Sequence, residues 1–412
     1  MKWTLDIGEP QTLPLAGRES VSILLGAGFS VPKGYPTGAK VNDALLNYDK
    51  LSVAFSAAGE IMYAKEEGQT PVSPYDNHFQ KQFIFCKRLI KEYTKEKGGF
   101  DYEEFYDFIR SEEVYQQQYQ DLCKDFIDET NEYRTFINGI DLIYNQMVAH
   151  LLRDEDGEQW YDEMPSHIGP VDYYDGFLKV LSKWGKEYIV NVHTLNHDLL
   201  FESFRKTDYL SGMISDGFDE FGSEYFGVVH IGNASYHVRL ERYKGRYNTP
   251  IRLYKLHGSL DYVLYRRTVE CAMLKPDCYV KIKKYIPSGD LMRGRGCHLG
   301  YERYPFAVHG DFLTGTTSKI KHYNEPLLYN KLFKKFRNNL RSAKTLIIIG
   351  YGGKDFEINK MIMNDFDYHS KNVYIYDPYP TDSLKLLSTN INAKVIEKPI
   401  EYIAEKDLQK VL

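Results

Sequence analysis

Apolar positions along the chain follow two different rhythms. Residues 18 to 26 carry a short continuous apolar run, the mark of a buried strand, and end at the turn Gly26-Ala27-Gly28. After the loop "VPKGYPTG", the segment "AKVNDALLNY" has a helical period. From about residue 50 to 170 the rhythm is helical throughout. Phe105, Phe108, Tyr115, Tyr119, Leu122 and Phe126 recur at three- and four-residue steps, as do Phe136, Ile140, Ile143, Met147 and Leu151. These positions predict amphipathic helices with acidic outer faces, closed by the acidic loop "RDEDGEQWYDEMP".

Beyond this block, "KEYIVNV" reads as a strand and runs into "HTLNHDLLFE", which turns helical. Residues 235 to 268 read as β-hairpin material, and "PSGDLMRGRGCHLG" as a loop. The C-terminal part alternates: a helix through "LLYNKLFKKFRNNL", then the strands "KTLIIIG", "KNVYIYD" and "AKVIEK", each followed by a helix. Such alternation predicts an α/β fold, a Rossmann-type parallel sheet with helices on both faces plus a helical insert. The expected division is residues 1–50 and 185–412 for the sheet domain and 51–184 for the insert.

Ligands of open parallel sheets bind outside the carboxyl ends of the strands, where backbone N–H groups and helix N-termini favour anions. Four segments place glycine or polar residues at such ends: "GAGFS" (26–30), "HTLNHD" (193–198), "LHGS" (256–259) and "GYGGKD" (350–355). Two common nucleotide motifs are missing. Val31 stands where a dinucleotide fingerprint needs its third glycine, and no GxxxxGK followed by Ser or Thr occurs. Each segment also has a plainer reading. Gly-Ala-Gly makes an ordinary tight turn, Asn after a strand caps a helix, and His before Gly sits in a turn. His193 and His197 are four apart, but His193 falls at a strand end, so a structural role fits it better than metal binding.

Composition narrows the function classes. The 412 residues suffice for two or three domains, and 43% of them are apolar, which places the chain among globular proteins. A net charge of −5 argues against a protein built to grip bare nucleic acid, and no sequence-specific nucleic-acid binding is expected. No apolar run reaches the length that spans a bilayer, and "MKWTLDIGEP" lacks the apolar core of a secretory signal. The five cysteines (Cys86, Cys123, Cys271, Cys278 and Cys297) form no CxxC pair. They fit reduced thiols in a cytoplasm, and no zinc site is expected from their spacing. The 35 tyrosines read as core and interface surface.

Taken in order, the four segments resemble the sirtuin family. "GAGFS" is similar to its GAGxS phosphate loop, "TLNHD" to its TxNxD motif and "LHGS" to its His-Gly. "GYGGKDFEIN" resembles the Gly-rich loop of sirtuin-like domains from bacterial antiphage defence. The resemblance covers roughly residues 15 to 50 and 185 to 400. Protein-deacylating sirtuins carry an Asp-Phe-Arg run after the first motif and two CxxC pairs. Here the chain reads "GYPTGAKV", and the pairs are absent.

The resemblance therefore implies an NAD+ hydrolase releasing ADP-ribose and nicotinamide. ADP-ribosyl transfer, deacylation or a non-catalytic nucleotide sensor are the alternatives. It implies Asn196, His257 and Asp198 as catalytic residues, Asp198 fixing local geometry or helping at the nicotinamide end. NAD contacts would come from Gly26, Ala27, Gly28, Phe29, Ser30, Thr194, Gly258, Gly350, Tyr351, Gly352, Asp355 and Asp377. It further implies a regulated antiphage effector, expected as a homo-oligomer through the insert and paired with a HerA-type ATPase.

Overall fold

Seven short apolar strands lie side by side in one sheet. In the computed structural model the described residues are 15–48, 52–55, 61–65, 76–127, 132–152, 172–231, 233–267, 277–282, 301–303, 315, 320, 323–403 and 405–409. The strands are β1 (Ser20–Leu25), β2 (Ile189–Thr194), β3 (Ile214–Ser215), β4 (Ile251–Lys255), β5 (Ala343–Ile349), β6 (Asn372–Tyr376) and β7 (Lys394–Ile396). Their order is β7-β6-β5-β1-β2-β4-β3, and every adjacent pair is parallel. The sheet grows from β1 towards β2 on one side and from β5 towards β7 on the other. The topological switch point therefore falls between β1 and β5.

Strands buried on both faces read as continuous apolar runs, and β1 and β5 do so because helices cover each face. Leu24, Leu346, Ile348, Val373 and Ile375 pack against the helices Tyr329–Ser342, Phe356–Asp365 and Asp382–Asn390. Ile23, Leu25, Val190, Val192, Ile347 and Ile349 pack against the helix Asp175–Glu187, Leu200, Phe204 and the C-terminal Ile400 and Leu408. The fold is thus a doubly wound α/β sheet, as the alternating pattern predicts.

Two parts of the sequence pattern resolve differently. The stretch 235–268 is not one hairpin: Ile251–Lys255 joins the parallel sheet beside β2, while Tyr262–Arg267 enters a second, antiparallel sheet. That five-stranded sheet runs in the order Tyr301–Arg303, Tyr262–Arg267, Cys278–Lys281, Glu241–Arg246, Gly217–Asp219. The separate hairpin in this region pairs Phe226–Ile231 with Ala234–Arg239.

The described residues of the block 50–170 are mostly helical, with the helices Asp76–Lys97, Tyr102–Ile109 and Ile140–Leu151, but they also hold an antiparallel pair, Ser52–Phe55 with Ile61–Lys65. Its core takes in Val41, Leu45 and Tyr48, whereas the helix Asp175–Glu187 belongs to the sheet. Phe105, Phe108, Tyr119, Phe136, Ile140, Ile143 and Met147 are all buried in this core. Tyr115, Leu122, Phe126 and Leu151 are partly buried and pack against it. The loops "RDEDGEQWYDEMP" and "PSGDLMRGRGCHLG" and the first ten residues lie outside the described residues.

At the switch point, backbone touches backbone. Gly26 N–H donates to Ile349 O at 3.0 Å, and Gly28 N–H donates to Gly350 O at 2.9 Å. Gly350 itself has φ +61°, a conformation that disfavours any side chain. A Cβ there would lie 2.3 Å from Phe29 N and 2.5 Å from Gly28 C. Gly350→Ala should therefore cost at least about 3 kcal/mol of stability. Gly352→Ala, whose Cβ would meet nothing closer than Thr381 Cγ2 at 3.9 Å, should change it by under about 0.5 kcal/mol. Urea denaturation of the two variants checks the contrast, and equal losses would show that the interlock is not what demands glycine.

Candidate functional site

Each of the four strand-end segments has a definite local reason for its shape. After β1, residues Ala27–Phe29 make a single 3-10 turn, closed by Phe29 N–H on Gly26 O and Ser30 N–H on Ala27 O. The Phe29 ring leaves the site altogether and sits among Tyr174, Phe177, Phe201 and Phe204, so only its backbone can face a ligand. After β2, Asn196 N–H donates to Thr194 Oγ1 at 3.0 Å, which turns the chain back over the sheet.

The Asn196 side chain reaches across to the first segment. Its Nδ2 donates to Gly26 O and to Ser30 Oγ, both at 3.0 Å. The buried Ser30 hydroxyl is also bonded to Asp198, whose Oδ1 accepts from Leu200 N–H at 3.0 Å. Burial pushes the Asp198 carboxyl up, while Lys255, the Leu200 N–H and Ser30 oppose that shift. A relay of Gly26, Asn196, Ser30 and Asp198 thus joins the ends of β1 and β2.

The third segment joins them after β4. Gly258, at φ +84°, lets its N–H return to Lys255 O and swings His257 over the strand ends. Leu260 N–H donates to His197 O at 3.1 Å, and the His197 and His257 rings stack at 6.3 Å. His257 Nε2 stands 3.4 Å from Asp355 Oδ2. In the fourth segment, Gly350 closes on the first loop, Tyr351 OH bonds Asn359 Oδ1 at 2.8 Å, and Gly352 O accepts from Thr381 Oγ1. Asp377 stands apart at the end of β6, half-buried, its Oδ1 taking Tyr379 N–H at 2.8 Å. Burial pushes its carboxyl up.

His193 has the structural role expected of it. It is fully buried, with Nδ1 3.3 Å from Ile23 O and Nε2 3.1 Å from Asn339 Nδ2, and its ring stacks on Tyr254. Desolvation lowers its pKa to about 3, so it stays neutral. Among the described residues no group of three or more His, Cys, Asp or Glu is arranged to hold a metal, while Cys271 and Cys297 lie outside them. A cavity of about 600 Å³ lined by Tyr225, Arg242, Lys244, Asp277 and Cys278 opens on the antiparallel sheet and shares no lining residue with the strand ends.

Sequence reading missed the charges beneath this site. Lys255, whose side chain has no solvent exposure, donates to the carbonyls of His197 and Asp198 and pairs with Glu202 Oε1 at 3.2 Å. Lys281 pairs with Asp216 at 2.5 Å and Asp261 at 3.5 Å, and Arg205 meets Asp216 at 2.7 Å. A lysine closing the otherwise buried strand "IRLYK" was the available signal. Tyr323 was missed as well. Its ring lies 6.5 Å from that of His257, and burial together with Asp355, Glu103, Tyr351 and Glu357 holds its phenol un-ionised. Glu103 comes from the insert, whose core also packs against Leu260, so the insert borders the site.

No protein-family model matches the sequence, and no curated protein matches it. Among solved structures the chain is similar over 96% of its length to a Sir2 enzyme studied for mechanism and regulation, at 12% identity, TM-score 0.36 and 94% of that chain. It is also similar to a Sir2 homologue in complex with NAD, at 12% identity and TM-score 0.38 over 91% of that chain. A third is Sir2 bound to an inhibitor, 2'-O-acetyl-ADP-ribose and a deacetylated peptide, at 10% identity and TM-score 0.34 over 95% of that chain.

The buried ion pairs generate a prediction. Asp216 is held well below the usual carboxylate range by Lys281 and Arg205, against the opposing effect of burial. A depressed folded-state pKa adds stability above the unfolded value of about 3.9, and that stability is lost as pH falls towards the folded value. Lys281→Met should leave Asp216 with Arg205 alone and take the paired cation from Asp261, at a cost of about 3 kcal/mol at neutral pH. Its acid-unfolding midpoint should also move to higher pH. Denaturant titrations at several pH values test both, and a variant with wild-type acid stability would refute the assignment.

Proposed function

We propose that this protein hydrolyses NAD+, cleaving the nicotinamide–ribose bond to give nicotinamide and ADP-ribose. The observation that carries the reading is the relay of Gly26, Asn196, Ser30 and Asp198 beside His257. Residues from three distant segments meet there at the carboxyl ends of neighbouring parallel strands, where a dinucleotide binds such a sheet. The motif resemblance supports the same assignment.

The chemistry asks little else of the site. Nicotinamide leaves a cationic ring as a neutral molecule, taking the electron pair of the C–N bond, so no general acid is needed on the leaving side. The site must orient the ribose, stabilise the developing cation and supply water to the open face. In this reading Asn196, held by Gly26 O and Ser30, positions the ribose and the water. His257 accepts the water proton as the new C–O bond forms. Asp198 keeps the Ser30 hydroxyl oriented, and the Gly350–Gly352 loop borders the pyrophosphate. Resting on the motif resemblance, the enzyme acts as a regulated NAD-depleting effector of bacterial antiphage defence, as a homo-oligomer with a HerA-type ATPase as partner. The insert's contact with Leu260 offers a path by which a partner's binding reaches the site.

Purified protein incubated with NAD+, alone and with cell extract, should release nicotinamide and ADP-ribose in equal amounts. Asn196→Ala and His257→Ala should each lower the rate by about 10²-fold or more while keeping the wild-type circular dichroism. Near wild-type turnover in folded His257→Ala would overturn the mechanism, and intact NAD+ under both conditions would overturn the reaction.

A further inference from the structure

His257 is held from two sides, by its own turn and by Asp355 at the end of the fourth strand-end segment. Its backbone is fixed by the Gly258 turn. Its Nε2 faces Oδ2 of Asp355 at 3.4 Å, with both side chains more than nine-tenths buried. Asp355 begins the helix Phe356–Asp365, where Oδ1 caps Ile358 N–H at 3.1 Å. Its own carbonyl accepts from Asn359 N–H at 3.0 Å and from Tyr351 OH at 3.1 Å. The carboxylate therefore has little freedom to move.

A helix cap needs one oxygen, and Ser, Thr or Asn would supply it as well as Asp. A buried carboxylate carries a desolvation cost that a neutral cap avoids. The helix N-terminus offsets part of that cost. The remaining oxygen, Oδ2, lies 3.4 Å from an imidazole nitrogen, and that nearness gives the negative charge a reason to be there. The 3.4 Å separation is longer than a finished hydrogen bond.

We infer that Asp355 is a positioning residue: its carboxylate takes the Nε2 proton of His257 as a hydrogen bond and so holds the ring in the Nε2–H tautomer. Nδ1 is then the nitrogen carrying the lone pair. The function of this arrangement rests on the NAD+ hydrolase reading. Nδ1 receives the proton of the attacking water as the water oxygen bonds to the ribose carbon, and the carboxylate stabilises the imidazolium that results. Among the described residues, His197, Tyr323 and Tyr351 also lie around the pair, with Glu103 and Glu357 acting on the tyrosines. None of them supplies a carboxylate to Nε2.

Asp355→Asn tests this directly, because Asn caps a helix equally well but presents an amide to the ring. In full-length protein labelled with ¹⁵N-histidine, the His257 signals are assigned by their loss in His257→Gln. At about pH 8.5 wild type should show a protonated Nε2 and a bare Nδ1. In Asp355→Asn the population should shift towards the Nδ1–H form, with an unchanged melting temperature. Its kcat for NAD+ cleavage should fall about 10²-fold or more at little change in KM. An unaltered tautomer in Asp355→Asn would overturn the proposal, as would a raised KM with kcat intact, which would reduce Asp355 to a loop-ordering cap. The tautomer measurement decides the matter even if the wild type cleaves no NAD+, so the two readings fail separately.

Discussion

An ammonium group sealed from solvent must find every partner inside the protein, and Lys255 finds three. It closes β4, donates to the carbonyls of His197 and Asp198, and pairs with Glu202. Those two carbonyls belong to the loop that carries Asn196. The loop is therefore tied down from below by charge while the Asn196 amide ties it across to Gly26. Glu202 in turn lies within 3.9 Å of Lys281, and Lys281 belongs to the antiparallel sheet. The second sheet is thus fastened to the first by buried ion pairs, in which each charge faces one of opposite sign.

The parallel sheet was legible because its signal is local. Short runs rich in β-branched and apolar residues, ending in glycine or small polar residues, mark β1, β2 and β5 without reference to any other part of the chain. Strand partners are not local. Ile251–Lys255 has the alternating look of a hairpin strand, and only its pairing with β2 shows it to be parallel. The helix Gly38–Leu46 announces an apolar face but not which core receives it, and Val41 and Leu45 go to the insert. The buried charges were hidden for the same reason. Lys255, Glu202, Lys281 and Asp216 read individually as surface residues, and become explicable only as a set. The nearness of Asp355 to His257 is likewise a property of the folded chain alone.

The insert has its own aromatic interior yet does not stand clear of the sheet domain. Tyr144 OH donates to Tyr102 O, and Asp101 caps the helix Tyr102–Ile109 through Glu103 N–H and Glu104 N–H. These bonds orient the helix start, placing Glu103 close enough to Tyr323 to oppose ionisation of its phenol. The wall of the site beside His257 is therefore built jointly. Tyr323 comes from the segment before the helix Tyr329–Ser342, and Glu103 from the inserted block.

The position of β1 in the sheet sets the order in which this protein can be completed. β1 is the first strand of the sheet to leave the ribosome, yet its two neighbours begin at Ile189 and Ala343. During synthesis one edge of "SVSILL" waits without a hydrogen-bonding partner until most of the chain has been made. Non-local pairing of this kind slows folding and leaves an apolar strand open to wrong partners. The insert can bury its own aromatic side chains in the meantime, but it cannot shelter β1. A nascent chain stalled before Ala343 lacks the partner for Gly26 and Gly28, so truncated products would carry an unclosed sheet and an unformed first loop. Supply of the folded protein should accordingly depend on chaperones that hold early strands apart until the C-terminal third arrives.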